Sequence, residues 1–148
     1  MKKWLIVAAA ALLLAACGHE DSPTIKKALT IHEECMTVSE SLEGEINLEI
    51  DRLKTLLADS LNVENPGETM RLHKTLQALV ASQEELGQWK STVAEIPGHH
   101  HHEPGEVCEH DHSKDEILKN LPDEEILKMQ EEMMAALEDI KARAPLAE

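Results

Sequence analysis

SPTIKKALTIHEECMTVSESLEGEINLEIDRLKTLLADSL, residues 22–61, decides the fold. One stripe runs along it in steps of four and three: Ile25, Leu29, His32, Met36 and Ser39, then Ile46, Ile50, Leu53 and Leu57. That is the period of a helix with one buried face. Leu42 shifts the stripe by one residue between the two runs, and Gly44 allows a bend near residues 42–44 at a cost of about 1 kcal/mol against alanine. Ser22-Pro23 is a start signal: serine caps the first turn, and proline stands where its missing N–H is not needed. Asn62 to Gly67 holds the stop.

Outward from this helix the same grammar repeats. Asn65-Pro66-Gly67-Glu68 has a capping-box arrangement. Leu72, Leu79, Leu86 and Val93 then recur every seven residues, with Leu76, Trp89 and Ile96 filling the stripe until Ile96-Pro97-Gly98 ends it. Ser113-Lys114-Asp115-Glu116 opens a short turn through Leu118. Pro122, followed by Asp123, Glu124 and Glu125, starts a last helix with carboxylates on its positive end. Ile126, Met133, Leu137 and Ile140 form its stripe, with Gln130 the one polar member, and Ala144-Pro145 ends it. Three amphipathic helices with short connections predict an all-α protein: a three-helix antiparallel bundle over residues 24–146, made of a long helical hairpin plus a C-terminal helix.

Between the second and third helices lies GHHHHEPGEVCEHDH, residues 98–112, the core of a histidine-rich loop spanning 97–113. It holds six of the nine histidines and no lysine or arginine. Glu103-Pro104-Gly105-Glu106 suits a type II turn that folds one arm back on the other. His99, His100, His101, His102, Cys108, His110 and His112 are the candidate metal ligands. Imidazole and thiolate are donors for zinc, and imidazole-rich sites also suit nickel and copper. The carboxylates between them offer partners for ring N–H groups. Such tracts are also found as polar loops with only incidental metal affinity, and no Cys-x-x-Cys pair is present.

Hairpin register, with a turn centred near residue 64, sets Ile96 level with His32, so His32, Cys35 and Met36 are expected near this segment. A Cys35–Cys108 disulfide is then one fate of the two thiols, and it would withdraw Cys108 from a metal site. His32 and Met36 are seam residues or soft-metal ligands. Met129, Met133 and Met134 fall at core spacing, and His73 is expected at the surface.

Residues 1–16 do not belong to the bundle. Lys2 and Lys3 precede an apolar run from Trp4 to Ala16 that has the layout of a secretory signal and is too short to span a bilayer. Leu14-Ala15-Ala16-Cys17 resembles the lipobox of bacterial lipoproteins. That resemblance implies cleavage before Cys17, a diacylglycerol on its sulfur, an acylated amino end, and residues 17–23 as a leader. Gly18 after the cysteine implies sorting to the outer membrane rather than the inner, with a periplasmic or surface-facing domain. Ile31-His32-Glu33-Glu34-Cys35-Met36, Trp89 and the short final helix together resemble small helical lipoproteins of Bacteroidetes carrying a viral A-type inclusion label. This implies the fold and the anchor, and no activity.

After cleavage the chain carries 12 Lys+Arg against 29 Asp+Glu, a net charge of −17. Nucleic acid is an unsuitable partner for such a surface, and cations are natural ones. Trp89 is then the only aromatic residue, so the core is aliphatic. No nucleophile–base pair, phosphate loop or His-Glu-x-x-His motif points to an enzyme; an open zinc site with a glutamate base is the one catalytic alternative. Two readings follow: a lipid-anchored envelope protein that binds zinc, nickel or copper through its loop, or a structural or adaptor lipoprotein that meets a protein partner. The second expects leucine, methionine or alanine exposed on an outer helical face.

Overall fold

A computed structural model describes residues 22–60, 65–99 and 118–146. The signal, Cys17, and His100 to Ile117 with Cys108, His110 and His112 lie outside the described residues.

Three helices form, α1 (Pro23–Ser60), α2 (Pro66–Thr92) and α3 (Asp123–Arg143), and no strand is present among the described residues. This is the all-α three-helix bundle that the periodicity predicts. α1 starts where Ser22 accepts the Ile25 amide on its Oγ at 3.1 Å. Asn65 caps α2 in the same way, its Oδ1 accepting the Glu68 amide at 3.3 Å. α3 begins at Pro122, which has no side-chain cap bond, and its first turn holds Asp123, Glu124 and Glu125.

The direction of each helix follows from its cross-links. Asn47 accepts from Gln83 and Glu43 pairs with Lys90, so α2 runs back along α1. Ser22 donates to the Asp123 carboxylate and Lys27 pairs with Glu131, so α3 runs parallel to α1. Arg143 reaches Glu85, so α3 runs antiparallel to α2. α1 is the common partner of both. At 1.5 Å per residue its 38 residues span about 57 Å and the 21 residues of α3 about 32 Å. The third helix therefore covers only the half of the hairpin nearest residue 22.

The seam of α1 differs from the expected one. Buried residues are Ala28, His32, Cys35, Ser39, Leu42, Ile46, Ile50 and Leu53, while Ile25, Leu29 and Met36 are half-buried on its flanks. Small residues let the neighbouring helices come close, so Ala28 and Cys35 take the centre. With them included the steps alternate four and three from Ala28 to Ile46, the shift at Leu42 vanishes, and the one repeated step of four falls between Ile46 and Ile50. The helix is continuous through Gly44.

α2 also departs from expectation at its end. Helical bonding stops at Thr92 rather than Ile96, and Val93 turns to φ −57, ψ 128. The Ser91 and Thr92 hydroxyls bond to the Gln88 and Trp89 carbonyls at 2.6 and 2.7 Å. Beyond them burial alternates, with Ala94 and Ile96 inside, as in an extended strand-like segment. Pro97 favours that conformation in the residue before it.

The core has two parts. The larger holds Cys35, Leu42, Ile46, Ile50, Leu53, Leu79, Leu86, Trp89, Leu137 and Ile140, with Met133, Met134 and Leu146 packed against it. The smaller, nearer residue 22, holds Ala28, Ile96 and Ile126, flanked by Ile25, Leu29, Leu121 and Leu127. Full burial of each Leu or Ile contributes on the order of 1.5–3 kcal/mol. Trp89 keeps its indole N–H satisfied by donating to the Met133 carbonyl at 3.0 Å.

Candidate functional site

The histidine-rich stretch leaves the bundle at His99. Ile96-Pro97-Gly98-His99 is a tight turn closed by the His99 amide donating to the Ile96 carbonyl at 3.0 Å. Gly98 has φ 86, the left-handed conformation that the third residue of a type II turn requires. A side chain at Gly98 would meet no neighbour but would strain the backbone. His99 is half-buried. The stretch returns at Leu118, which is buried; the Leu121 amide closes a second turn on the Leu118 carbonyl at 3.0 Å. Leu121 packs on the small cluster of Ala28, Ile96 and Ile126. Both stems, and Ser22 with its bond to Asp123, thus stand at one end of the bundle. Of the expected ligands, only His99 is among the described residues. Among those residues no three His, Cys, Asp or Glu side chains gather as a metal site.

Below the small cluster sits a polar layer. His32 is 2% exposed, and its Nδ1 lies 3.1 Å from Gln130 Oε1. Gln130 is fully buried, and its Nε2 donates to the Ala94 carbonyl at 3.3 Å. A carbonyl can only accept, so the amide nitrogen of Gln130 must face Ala94. Its oxygen must then face His32, and Nδ1 of His32 must carry the proton. One residue from each side of the bundle is thereby fixed at one level. His32 is a seam residue, and the apolar layer of Ala28, Ile96 and Ile126 lies on its His99 side.

Cys35 lies further down α1, about 10 Å along the axis from Ala28. It is fully buried in the large cluster and is a free thiol. Burial pushes its pKa up, and the nearby Glu34 and Glu138 carboxylates push it further. A raised pKa keeps the sulfur protonated and a poor nucleophile. Its expected disulfide partner, Cys108, is outside the described residues. Met133 and Met134 pack on the core and His73 is exposed, as expected. Met36 is half-buried on the flank of the seam, and Met129, expected in the core, is half-buried and belongs to neither cluster.

The sequence reading found His32 and Gln130 separately and missed that they pair. Each is a polar residue on an apolar seam, but hairpin register relates α1 only to α2; the level of Gln130 on α3 is fixed by the cross-links Ser22–Asp123 and Lys27–Glu131. Neither a family model, nor a curated protein, nor a solved structure matches the chain.

Proposed function

We propose that this chain is a lipid-anchored protein of the cell envelope that binds zinc, nickel or copper ions. His99, His100, His101, His102, His110 and His112 supply imidazoles, and Cys108 supplies a thiolate when it is not bridged. Cys17 carries the lipid and holds the domain at a membrane, the outer one in preference to the inner. The observation that supports the metal reading is the fixing of both stems: His99 and Leu118 are held by turns at the same end of the bundle. A stretch closed on a folded stem has already lost part of the chain entropy that a free peptide loses when it gathers ligands.

A titration of the mature soluble domain with zinc or nickel at neutral pH tests it. Saturable binding is expected, weakening as pH falls through about 6.5, because imidazole ligates only when neutral. Replacing those six histidines with alanine is expected to abolish binding and leave the helical circular dichroism unchanged. Wild-type affinity in the six-alanine variant would refute the reading.

A second reading, an adaptor that meets a protein partner, is favoured by one observation. Leu48, Leu56, Met70 and Val80 are the large hydrophobic residues exposed among the described ones. All four lie in the half of the hairpin that α3 does not reach.

A further inference from the structure

α3 rests on one stripe of each hairpin helix. On α1 the stripe runs through Lys27, which pairs with Glu131, then Ile31 and Val38, both packed on the large cluster. On α2 it runs through Trp89, which bonds to Met133, then Glu85, which pairs with Arg143, and buried Ser82. α3 ends there. At helical steps of three and four the same stripes continue through Glu45, Glu49, Arg52 and Leu56 on α1, and through Ala78, Thr75 and Arg71 on α2. Leu56 is 39% exposed on this stretch, and Leu57, Leu72 and Thr75 are half-buried beside it. Leu48, Met70 and Val80 are exposed in the same half but lie off these two stripes.

Charge separates this half of the hairpin from the rest. Residues 46–80 hold five carboxylates and four cations, a net charge of −1, whereas residues 22–45 and 81–146 together carry −13. Arg52 and Arg71 lie on the continued stripes and Lys74 flanks them; all three are exposed, Arg52 being paired with Glu49. Arg52 holds Glu49 in a two-pronged hydrogen bond that neutralises it, while Glu45, at the α3 end of the stripe, accepts from the Ser41 hydroxyl.

The geometry points to a docking site for an acidic amphipathic helix of a protein partner, laid along Arg52, Leu56, Thr75, Ala78 and Arg71 in line with α3. This rests on the adaptor reading and is independent of the metal. The chain's own α3 shows what these stripes accept. It is an amphipathic helix with seven carboxylates and three cations, and it seats its apolar face on the hairpin while Glu131 meets Lys27. The uncovered half repeats that pattern with more cations. Elsewhere the surface is strongly negative and would repel such a helix.

The test uses amide chemical-shift mapping on the mature soluble protein. The probe is a synthetic peptide with the sequence of residues 122–146, and a scrambled peptide of the same composition is the control. Saturable shifts are expected at residues 49–57 and 71–78 with the helical peptide and not with the scrambled one. Arg71→Glu with Lys74→Glu, both at exposed positions, is expected to weaken binding about tenfold. Shifts confined to another surface would overturn this site and leave the adaptor reading standing. No shifts with either peptide would likewise overturn this site and leave the adaptor reading standing. Equal binding of the scrambled peptide, or undiminished binding to the charge-reversed variant, would overturn the proposal. So would binding to phosphatidylglycerol vesicles through the same cations with no response to peptide. Self-association without peptide that Leu56→Asp abolishes would place a second copy there, and the proposal would fall.

Discussion

Gln130→Leu is the sharpest perturbation of the scaffold. Leucine has similar bulk and a longer apolar reach, so it fits a fully buried site between two apolar clusters. On hydrophobicity alone it should stabilise the protein by about 1 kcal/mol. The hydrogen bonds decide otherwise. The substitution strips the Nδ1 proton of His32 and the carbonyl of Ala94 of the partners seen here. Each buried polar group that loses its partner costs about 1–3 kcal/mol. The net expectation is a loss of about 2–4 kcal/mol. For a domain of this size that lowers the melting temperature by about 6–15 °C. Urea unfolding of the mature domain, followed by far-ultraviolet circular dichroism, measures it. A double-mutant cycle isolates the cause: with His32→Leu in the same chain one of the two stranded groups is gone, so the double variant should be less destabilised than the sum of the singles. Additive losses, or a Gln130→Leu variant as stable as wild type, would refute the paired layer.

The other expectations are simpler. Gly44 and Gly87 lie inside exposed helical stretches where a Cβ would meet nothing within 4 Å, so Gly44→Ala and Gly87→Ala should each raise stability by about 0.5–1 kcal/mol in urea midpoints. Cys35 has a raised pKa, so its burial adds no pH dependence below the ordinary thiol value of 9.0 and stability falls as pH rises above it. An Ellman titration of the native domain at pH 8 should leave Cys35 unreacted until urea unfolds it. A Cys35 that stays silent even when unfolded would instead be bridged to Cys108, and mass mapping would identify that pair. Cys17→Ser should release the protein from membranes or leave it unprocessed; normal retention and cleavage would sink the anchor.

The fold was legible because its signals are local. Ser22, Asn65 and the Pro122-Asp123-Glu124-Glu125 start each act within one turn, and the Leu72-Leu79-Leu86 period needs no knowledge of the partner helix. What was misread depended on neighbours. The expected seam ran through Ile25, Leu29 and Met36 and passed over Ala28 and Cys35, whose small size lets α2 and α3 approach. The end of α2 was placed at Ile96 because its burial fits a helical step, and an extended segment from Val93 to Ile96 buries it equally well. The His32–Gln130 pair could not be read from either helix alone. The unequal lengths of α1 and α3 were visible in the sequence, but their consequence, an uncovered half of the hairpin, required the register.

On the two proposals, one scaffold would separate two kinds of chemistry along a single helix. At the residue-22 end, both stems of the histidine-rich stretch stand on the Ala28–Ile96–Ile126 cluster. Beneath them the His32–Gln130–Ala94 layer locks all three elements in register. The caps of α1 and α2 and the two core clusters are made by residues 22–96 and 118–146, so the proposed metal binding at residues 99–112 should not be needed for the bundle to fold. At the other end the hairpin stands without α3, near neutral in charge, and there the apolar residues come to the surface. Residues 17–148 carry a net charge of −17; on the two proposals they would keep cations near the acidic end and hold acidic partners off except along the Arg52–Arg71 stripe. Raising the ionic strength should therefore act in opposite ways on different contacts. It should weaken peptide binding at that stripe, where screening removes attraction. It should relax the self-repulsion of the acidic end and raise the stability of the bundle. A bundle that loses stability with added salt would mean that its surface pairs, Lys27–Glu131 and Lys90–Glu43 among them, outweigh that repulsion.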